Sequence, residues 1–325
     1  MPGEFDVIKR YFTRPSRRSD VLLSVGDDCA LLQVPAGQAL AVSTDTLHAG
    51  VHFPLDTDPY DVGWKSLAVN LSDLAAMGAQ PAWAILAIGL PSEDAAWLQR
   101  FSEGFFTLAE AHQLALVGGD TTRGPLSITV TVHGFVPLQQ ALRRDRAQIG
   151  DIVAVTGTFG DAGRALQHAL QERPILDAAD AASLLARLNR PTPRVEIGLA
   201  LRSLCHAAID VSDGLAQDLQ HVLNASGVSA VLQLEQIPLS AALRRQTPDL
   251  TSALRFALQS GDDYELCLTC APANWPAAQA AAAACGVPLT AIGHITAGPA
   301  SLQLNLHGQP FALNGHGYDH FGVPT

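Results

Sequence analysis

Apolar stretches in this chain keep running into aspartate. LLSVG leads into Asp27 and Asp28, ALAVST into Asp45, LALVGG into Asp120, and HAAI into Asp210 and Asp213, while Asp262 and Asp263 stand just ahead of YELCLT. A short apolar run bounded by Gly, Ser or Thr reads as a strand. The pattern therefore asks for a scaffold of many short strands with acids at their edges, in the loops where rigid folds present function. Any one Asp beside Gly is an ordinary turn former or helix cap. Its repetition at strand edges along the whole chain points to a site.

The stretch VSTDTLHAGVHF, residues 42–53, is the densest case. An apolar strand is expected to end at Ser43, Thr44 and Asp45, three side chains bearing hard oxygen, with His48 and His52 close behind. Asp73 is placed differently, within the helical pattern VNLSDLAAMG. Leu71, Leu74, Ala75 and Ala76 around it read as buried, and Asn70 shares its face three residues back. A carboxylate there needs a partner or a metal, because burying it bare is costly. Oxygen-only sets of this kind suit Mg2+, which keeps waters and joins a few carboxylates to substrate phosphates. His48 and His52 are four apart in a Gly-containing loop, which is a weak zinc signal; His52 reads as a turn histidine or as a donor to a substrate phosphate or ring.

The rest of the first half alternates strands with two long helices. Residues 58–77 carry Val62, Leu67, Leu71, Leu74 and Met77 in a helical stripe, ended by Gly78 and Pro81. Residues 93–113 place Trp97, Phe101, Phe105 and Leu108 on one side. LALV (114–117) and SITVTVHGFV (127–136) read as strands. The polar stretch at 143–150 precedes a fresh strand, DIVAVTG, so a domain boundary is expected there, dividing the chain into 1–146 and 147–325. The second half then alternates strand and helix, which implies layered α/β structure.

The formal charge of −11 argues against nucleic-acid or membrane-surface partners, which call for basic patches. It also means that phosphate ligands would need bound cations. No GxxxxGK[ST] loop and no protein-kinase motif set is present, and VTGTFGDAGRAL alone is a weak phosphate-binding signal. Five scattered cysteines suit a reducing cytosol, and Cys267 and Cys270 read as buried strand residues rather than a zinc clip. The N-terminus has no apolar h-region, and no run is long enough to span a bilayer, so a cytoplasmic protein is expected.

Taken together, SVGDDCALL, VSTDTLHAGVHF, KSLAVNLSDLAAMGAQP, LVGGDTT, TGTFGDAG, IDVSDGLAQDL, GDDYEL and the terminal GYDHF resemble the thiamine-monophosphate kinase family, within the aminoimidazole-ribonucleotide synthetase-like (PurM-like) superfamily. The resemblance runs in order through nearly the whole chain. DLAAMGA and DVSDGL mark the superfamily, while VSTDTLHAGVHF, GGDTT and GYDHF point to the kinase. It implies a two-domain α+β and α/β fold: an N-terminal mixed domain whose sheet pairs with a second subunit in a homodimer, and a C-terminal layered α/β domain. It also implies Mg2+-dependent transfer of the ATP γ-phosphoryl group to thiamine monophosphate, the last step of thiamine diphosphate biosynthesis. By motif, Asp28, Ser43, Thr44, Asp45, Asp73, Asp120, Asp210 and Asp213 resemble the metal shell, with Asp45, Asp73 and Asp120 acting catalytically through it. Gly119, Asp120, Arg144 and Ser212 resemble ATP contacts. His52, the acidic residue of GDDYEL and Tyr318 resemble thiamine-phosphate contacts. The family commonly has Glu after the glycine of GDDYEL, where this chain has Asp262; whether Asp262, Asp263 or Glu265 reaches substrate stays open.

The chemistry agrees with the resemblance. The acceptor phosphate has a second pKa of about 6, so it is already mostly ionised near neutral pH and needs no strong general base. Two anions must be brought in line, which bound metal ions assist. Direct transfer without a phosphorylated protein is expected, since no activated nucleophile stands beside the acids. The rival readings are another ATP-using enzyme of the superfamily, such as a ribonucleotide or selenophosphate synthetase, a two-metal phosphohydrolase, or a non-catalytic ATP- and Mg2+-binding protein.

Overall fold

The computed structural model describes residues 3–313. The chain divides into two compact units, the first running to Gln139 apart from residues 75–78, which fall with the second.

In the first unit a short helix α1 (Glu4–Val7) runs on as a π-helical turn (Ile8–Phe12) and is followed by the two-stranded β1 (Val21–Leu23) and β2 (Leu31–Leu32). Then come β3 (Gln38–His48), α2 (Pro59–Ala76), β4 (Gln80–Leu90), α3 (Ala95–Ala111), β5 (Ala115–Arg123) and β6 (Ser127–Pro137). The four longer strands form one sheet in the order β3-β6-β4-β5, antiparallel except for the β4–β5 pair. Alternate residues of β6 and β4 (Ile128, Val130, Val132; Leu86, Ile88) are buried on one face of this sheet, as period-2 side-chain direction requires. The α2 stripe is buried as its spacing predicts, with Leu67, Leu71 and Leu74 at or below 1% exposure, while Met77 lies past the helix end. Asp94 caps α3 by accepting the Ala96 and Trp97 N–H groups. The two helices nearly touch backbone to backbone. A Cβ on Gly63 of α2 would lie 2.1 Å from the Phe101 carbonyl oxygen, and one on Gly104 of α3 would lie 1.9 Å from that of Tyr60.

β3 departs from the expectation. It does not end at Val42 but runs unbroken to His48, paired residue for residue with β6 from Gln38↔Pro137 to His48↔Ser127. Ser43, Thr44 and Asp45 suit an edge strand because only one side of it is covered by a neighbouring strand, and the β6 ladder supplies the pairing that short-range pattern cannot. Asp120 likewise lies inside β5 rather than after it.

The second unit holds β7 (Ile152–Thr156), α4 (Asp161–Ala169), α5 (Ala178–Asn189), α6 (Val195–Leu201), β8 (Ala207–Asp210), α7 (Leu215–Ser226) and β9 (Ser229–Gln233). It continues through α8 (Ala241–Gln246), α9 (Leu250–Gln259), β10 (Leu266–Cys270), α10 (Trp275–Ala284), β11 (Leu289–Thr296), β12 (Leu302–Leu306) and β13 (Gln309–Pro310). Its described strands form a seven-stranded sheet in the order β13-β12-β9-β11-β7-β10-β8. The sheet is mixed: β12 and β9 are parallel and the other pairs antiparallel. Val153, Val155, Ile209, Leu219 and Cys267 belong to one buried core that joins the sheet to α7 and α9. Cys267 and Cys270 are both buried in β10, as their place in a strand suggested.

Candidate active site

In the first unit the oxygen donors sort by strand face. Ser43 and Asp45 share one row of β3, opposite the buried Val132 and Val130. From α2, Asp73 meets this row: Ser43 Oγ donates to Asp73 Oδ2 at 2.5 Å. The Asp45 N–H donates to Asn70 Oδ1 at 3.0 Å, and Asn70 Nδ2 donates to the Ser66 carbonyl at 3.0 Å, one turn back. Asp73 is half-buried rather than buried and has the Ser43 hydroxyl among its partners, and the amide three residues back anchors the strand to the helix.

Thr44 corrects the expected set. Side chains alternate along a strand, so Thr44 points to the opposite face, where its hydroxyl pairs with Thr131 Oγ1 at 3.0 Å and with the Val130 carbonyl at 3.2 Å. Its side chain does not join Ser43 and Asp45. Asp120 also falls outside their row. It pairs with Ala87, one step beyond the buried Leu86, and is exposed at the β5 edge. There it lines a cavity of about 460 Å3 together with Asp28, Gly119 and the apolar Phe5, Phe12 and Leu116. A lining that mixes acids and glycine backbone with apolar side chains suits a ligand with both polar and apolar parts.

His52 is half-buried, and its Nδ1 accepts the His48 N–H at 3.0 Å. That bond makes the ring a positioned turn histidine. Lys65, which sequence reasoning passed over, is 3% exposed and donates to the His52 carbonyl at 3.2 Å. A lysine on the polar side of the α2 stripe was its only signal.

In the second unit the segment after β8 and the loop before β10 run side by side. The Asp262 N–H donates to the Ser212 carbonyl at 2.8 Å, and the Tyr264 N–H to that of Val211 at 2.9 Å. Asp210 is buried at the end of β8, whereas Ser212 and Asp213 are half-buried. One carboxylate holds this turn. Asp218 Oδ2 accepts the N–H groups of Ser212, Asp213 and Gly214 at 3.0, 3.0 and 3.2 Å. Burial pushes its pKa up to about 7, against the main-chain donors that favour the anion. Asp218 was missed because its role depends on a turn closing back over five residues. Arg144 is exposed in a 3-10 turn (Arg144–Arg146), and its carbonyl accepts Ser226 Oγ at 2.7 Å.

The three acids of GDDYEL have three fates. Glu265 is 0% exposed and closed in by Arg187, Arg194 and Thr156, so it is a structural ion pair and not an open substrate ligand. Asp263 is buried and accepts the Gly160 N–H on both oxygens at 2.9 and 3.0 Å; burial raises its pKa well above the ordinary range. Asp262 alone of the three is half-buried and reaches the surface, in a left-handed backbone with φ +58° that costs about 1–3 kcal/mol unless the surroundings impose it. Tyr318 lies outside the described residues.

Every donor in these sets is oxygen, which matches Mg2+. Among the described residues no three His, Cys, Asp or Glu groups form a ready-made cation site. Mg2+ characteristically takes one or two carboxylates and completes its shell with water and substrate phosphate, so the Asp45–Asp73 pair fits the protein's share.

The chain matches the family of AIR synthase related proteins twice, with the N-terminal domain over residues 26–136 and the C-terminal domain over 148–305. Two such domains carrying paired acid sets define a PurM-like protein. Thiamine-monophosphate kinase of Escherichia coli (strain K12) is 50% identical over 323 residues, covering 99% of both chains. The crystal structure of thiamine-monophosphate kinase from Stenotrophomonas maltophilia superposes with a TM-score of 0.84 at 50% identity, over 90% of this chain and 93% of that one. A structure of AaThiL complexed with AMPPCP and TMP gives 0.78 at 30% identity, over 89% of each. The chain belongs to the thiamine-monophosphate kinase family.

Proposed function

We propose that this chain transfers the γ-phosphoryl group of ATP directly to thiamine monophosphate, yielding thiamine diphosphate and ADP, the last step of thiamine diphosphate biosynthesis. The observation that carries the reading is the likeness to Escherichia coli thiamine-monophosphate kinase over both domains, which spans the Asp45–Asp73 set and the Asp210–Asp262 set together. The relative seen with AMPPCP and TMP is consistent with ATP and thiamine monophosphate as the two substrates.

Residues 1–146 form the ATP- and Mg2+-binding domain, and residues 147–325 the C-terminal α/β domain. Within the first, Ser43, Asp45 and Asp73 would hold Mg2+, with Asp28 and Asp120 offering further oxygens; within the second, Asp210 and Asp213 are further candidate metal ligands. Bound Mg2+ offsets the repulsion between two phosphate anions. The exposed Gly119 and, in the second domain, Ser212 take the nucleotide, and the exposed Arg144 guanidinium meets its phosphates. Thiamine monophosphate is chemically lopsided, with an anionic phosphate at one end and a cationic thiazolium and an amine-bearing pyrimidine at the other. A carboxylate repels the first and attracts the second, so Asp262 recognises the ring end while the half-buried His52 serves the phosphate end. The acceptor oxygen is already ionised and needs no protein base.

The sheet face bearing Leu40 (42% exposed), Val42 (56%) and Ile85 (38%), laced by the Thr44–Thr131 and Thr46–Thr129 hydroxyl pairs, suits the matching face of a second copy in a homodimer. Cytoplasmic work fits the five unbridged cysteines. No described helix is long and apolar enough to cross a membrane.

Purified protein incubated with Mg-ATP and thiamine monophosphate is expected to form thiamine diphosphate and ADP in equal amounts, with EDTA abolishing both. ATP consumption without thiamine diphosphate would overturn the reading and favour another superfamily reaction.

A further inference from the structure

Two arginines of the second unit close around one buried acid. Arg194 grips the Glu265 carboxylate with two parallel bonds, Nε to Oε2 at 2.6 Å and Nη2 to Oε1 at 2.5 Å. Arg187 adds Nη2 to Oε1 at 2.7 Å, and Thr156 Oγ1 donates to Oε2 at 2.7 Å. Arg187 Nη2 also reaches the main-chain oxygen of Asp263 at 3.3 Å, and its Nε is buried without a hydrogen-bond partner. The cluster therefore bonds the main chain of the α9–β10 loop as well as the acid that ends it.

That loop cannot hold its shape unaided. Gly261, Asp262 and Tyr264 have φ of +69°, +58° and +49°, and two of the three carry side chains that disfavour this region. Its surroundings leave no slack. A Cβ on Gly261 would lie 2.2 Å from the Ser212 oxygen, and one on Gly157 would lie 2.1 Å from Glu265 Oε1. Within the loop, Tyr264 Oη donates to Asp262 Oδ1 at 3.0 Å and turns that carboxylate. Non-glycine residues persist in such conformations only where neighbours over-determine them, commonly at functional sites.

We propose that Arg194, assisted by Arg187, is a positioning residue for the acceptor: through Glu265 it locks the Gly261–Tyr264 loop and so fixes the direction in which Asp262 faces thiamine monophosphate. The proposal rests on the reading of Asp262 as the acceptor contact. The planar fork matters as much as the charge, because a lysine cannot reproduce two parallel bonds to one carboxylate. A carboxylate displaced by about an ångström loses acceptor recognition while the nucleotide contacts stay in place.

The test is a split of kinetic constants in Arg194→Lys. Its KM for thiamine monophosphate is expected to rise about tenfold or more, with KM for ATP within about twofold of the parent and the circular-dichroism spectrum unchanged. Tyr264→Phe covers the case in which Arg194→Lys fails to fold, since it removes the hydroxyl that turns Asp262 and keeps the ring; a rise of about threefold or more in the same KM is expected. An unchanged acceptor KM in folded Arg194→Lys, or in Tyr264→Phe where Arg194→Lys does not fold, overturns the proposal and leaves the cluster a stabilising ion pair. A parallel rise in both KM values overturns it too. Failure of the unsubstituted protein to form thiamine diphosphate would instead overturn the kinase reading on which the positioning role rests.

Discussion

The two domains use carboxylates in opposite ways. In the first, the acids stand on a strand and a helix tied to each other, the Ser43 hydroxyl at 2.5 Å from Asp73 and the Asn70 amide oxygen at 3.0 Å from the Asp45 main-chain nitrogen, and both acids are half-buried. In the second, Glu265 is sealed between Arg187 and Arg194, and Asp263 is buried on the Gly160 N–H. A half-buried carboxylate keeps an oxygen within reach of an incoming cation. Arginine partners close that access off and turn the same group into architecture. The difference lies in the surroundings, since one carboxylate stands on a half-buried helix face and the other is sealed between two guanidinium groups.

The contrast between the domains is open to the largest disturbance at Glu265. Replacing it with Leu would strand two guanidinium groups, and urea unfolding is expected to show a loss of about 3–5 kcal/mol. A loss below about 1 kcal/mol would mean that the arginines find other partners and that the acid is not architectural. Asp73→Asn should do the reverse. Turnover is expected to fall by about 10²–10³-fold, as when a preorganised electrostatic contact to a reacting group is removed, while the urea midpoint stays close to the parent's. An unfolded Asp73→Asn would place Asp73 with Glu265 among the structural acids. The smallest effect belongs to Asp218, which stands between the two kinds. Its pKa is raised from 3.8 to about 7 by burial, so the folded chain holds that proton more tightly than the unfolded chain. The resulting stability is present in full below the unfolded value and disappears as pH rises through the folded one. Between about pH 5 and 8 the parent should lose about 1–3 kcal/mol relative to Asp218→Asn. Parallel profiles would show that the main-chain donors keep Asp218 ionised throughout.

What could be read from the sequence follows the range of the forces involved. The α2 stripe was legible because Val62, Leu67, Leu71 and Leu74 are neighbours within one helix, and the Asp73 requirement for a partner followed from it. The continuation of β3 through Ser43, Thr44 and Asp45 was not, because those residues are a strand only through pairing with Val132, Thr131 and Val130 far along the chain. The fate of Glu265 was hidden for the same reason. Its arginines lie 71 and 78 residues away in sequence, and nothing in GDDYEL announces them. That Asp262 alone of the three acids reaches the surface emerged only from the burial of the other two.

The close approach of α2 and α3, Gly63 against the Phe101 carbonyl and Gly104 against that of Tyr60, gives α2 a fulcrum. With carbonyl oxygens at 1.9–2.1 Å from where a methyl would stand, neither position tolerates even alanine without prying the helices apart. Gly63 lies seven residues before Asn70 and ten before Asp73, about 10–15 Å along the helix axis. A single carbon at that pivot would swing the far end of the lever and lift Asp73 from Ser43. Asp73 is thus calibrated from outside its own surroundings, by the absence of a side chain two to three turns away.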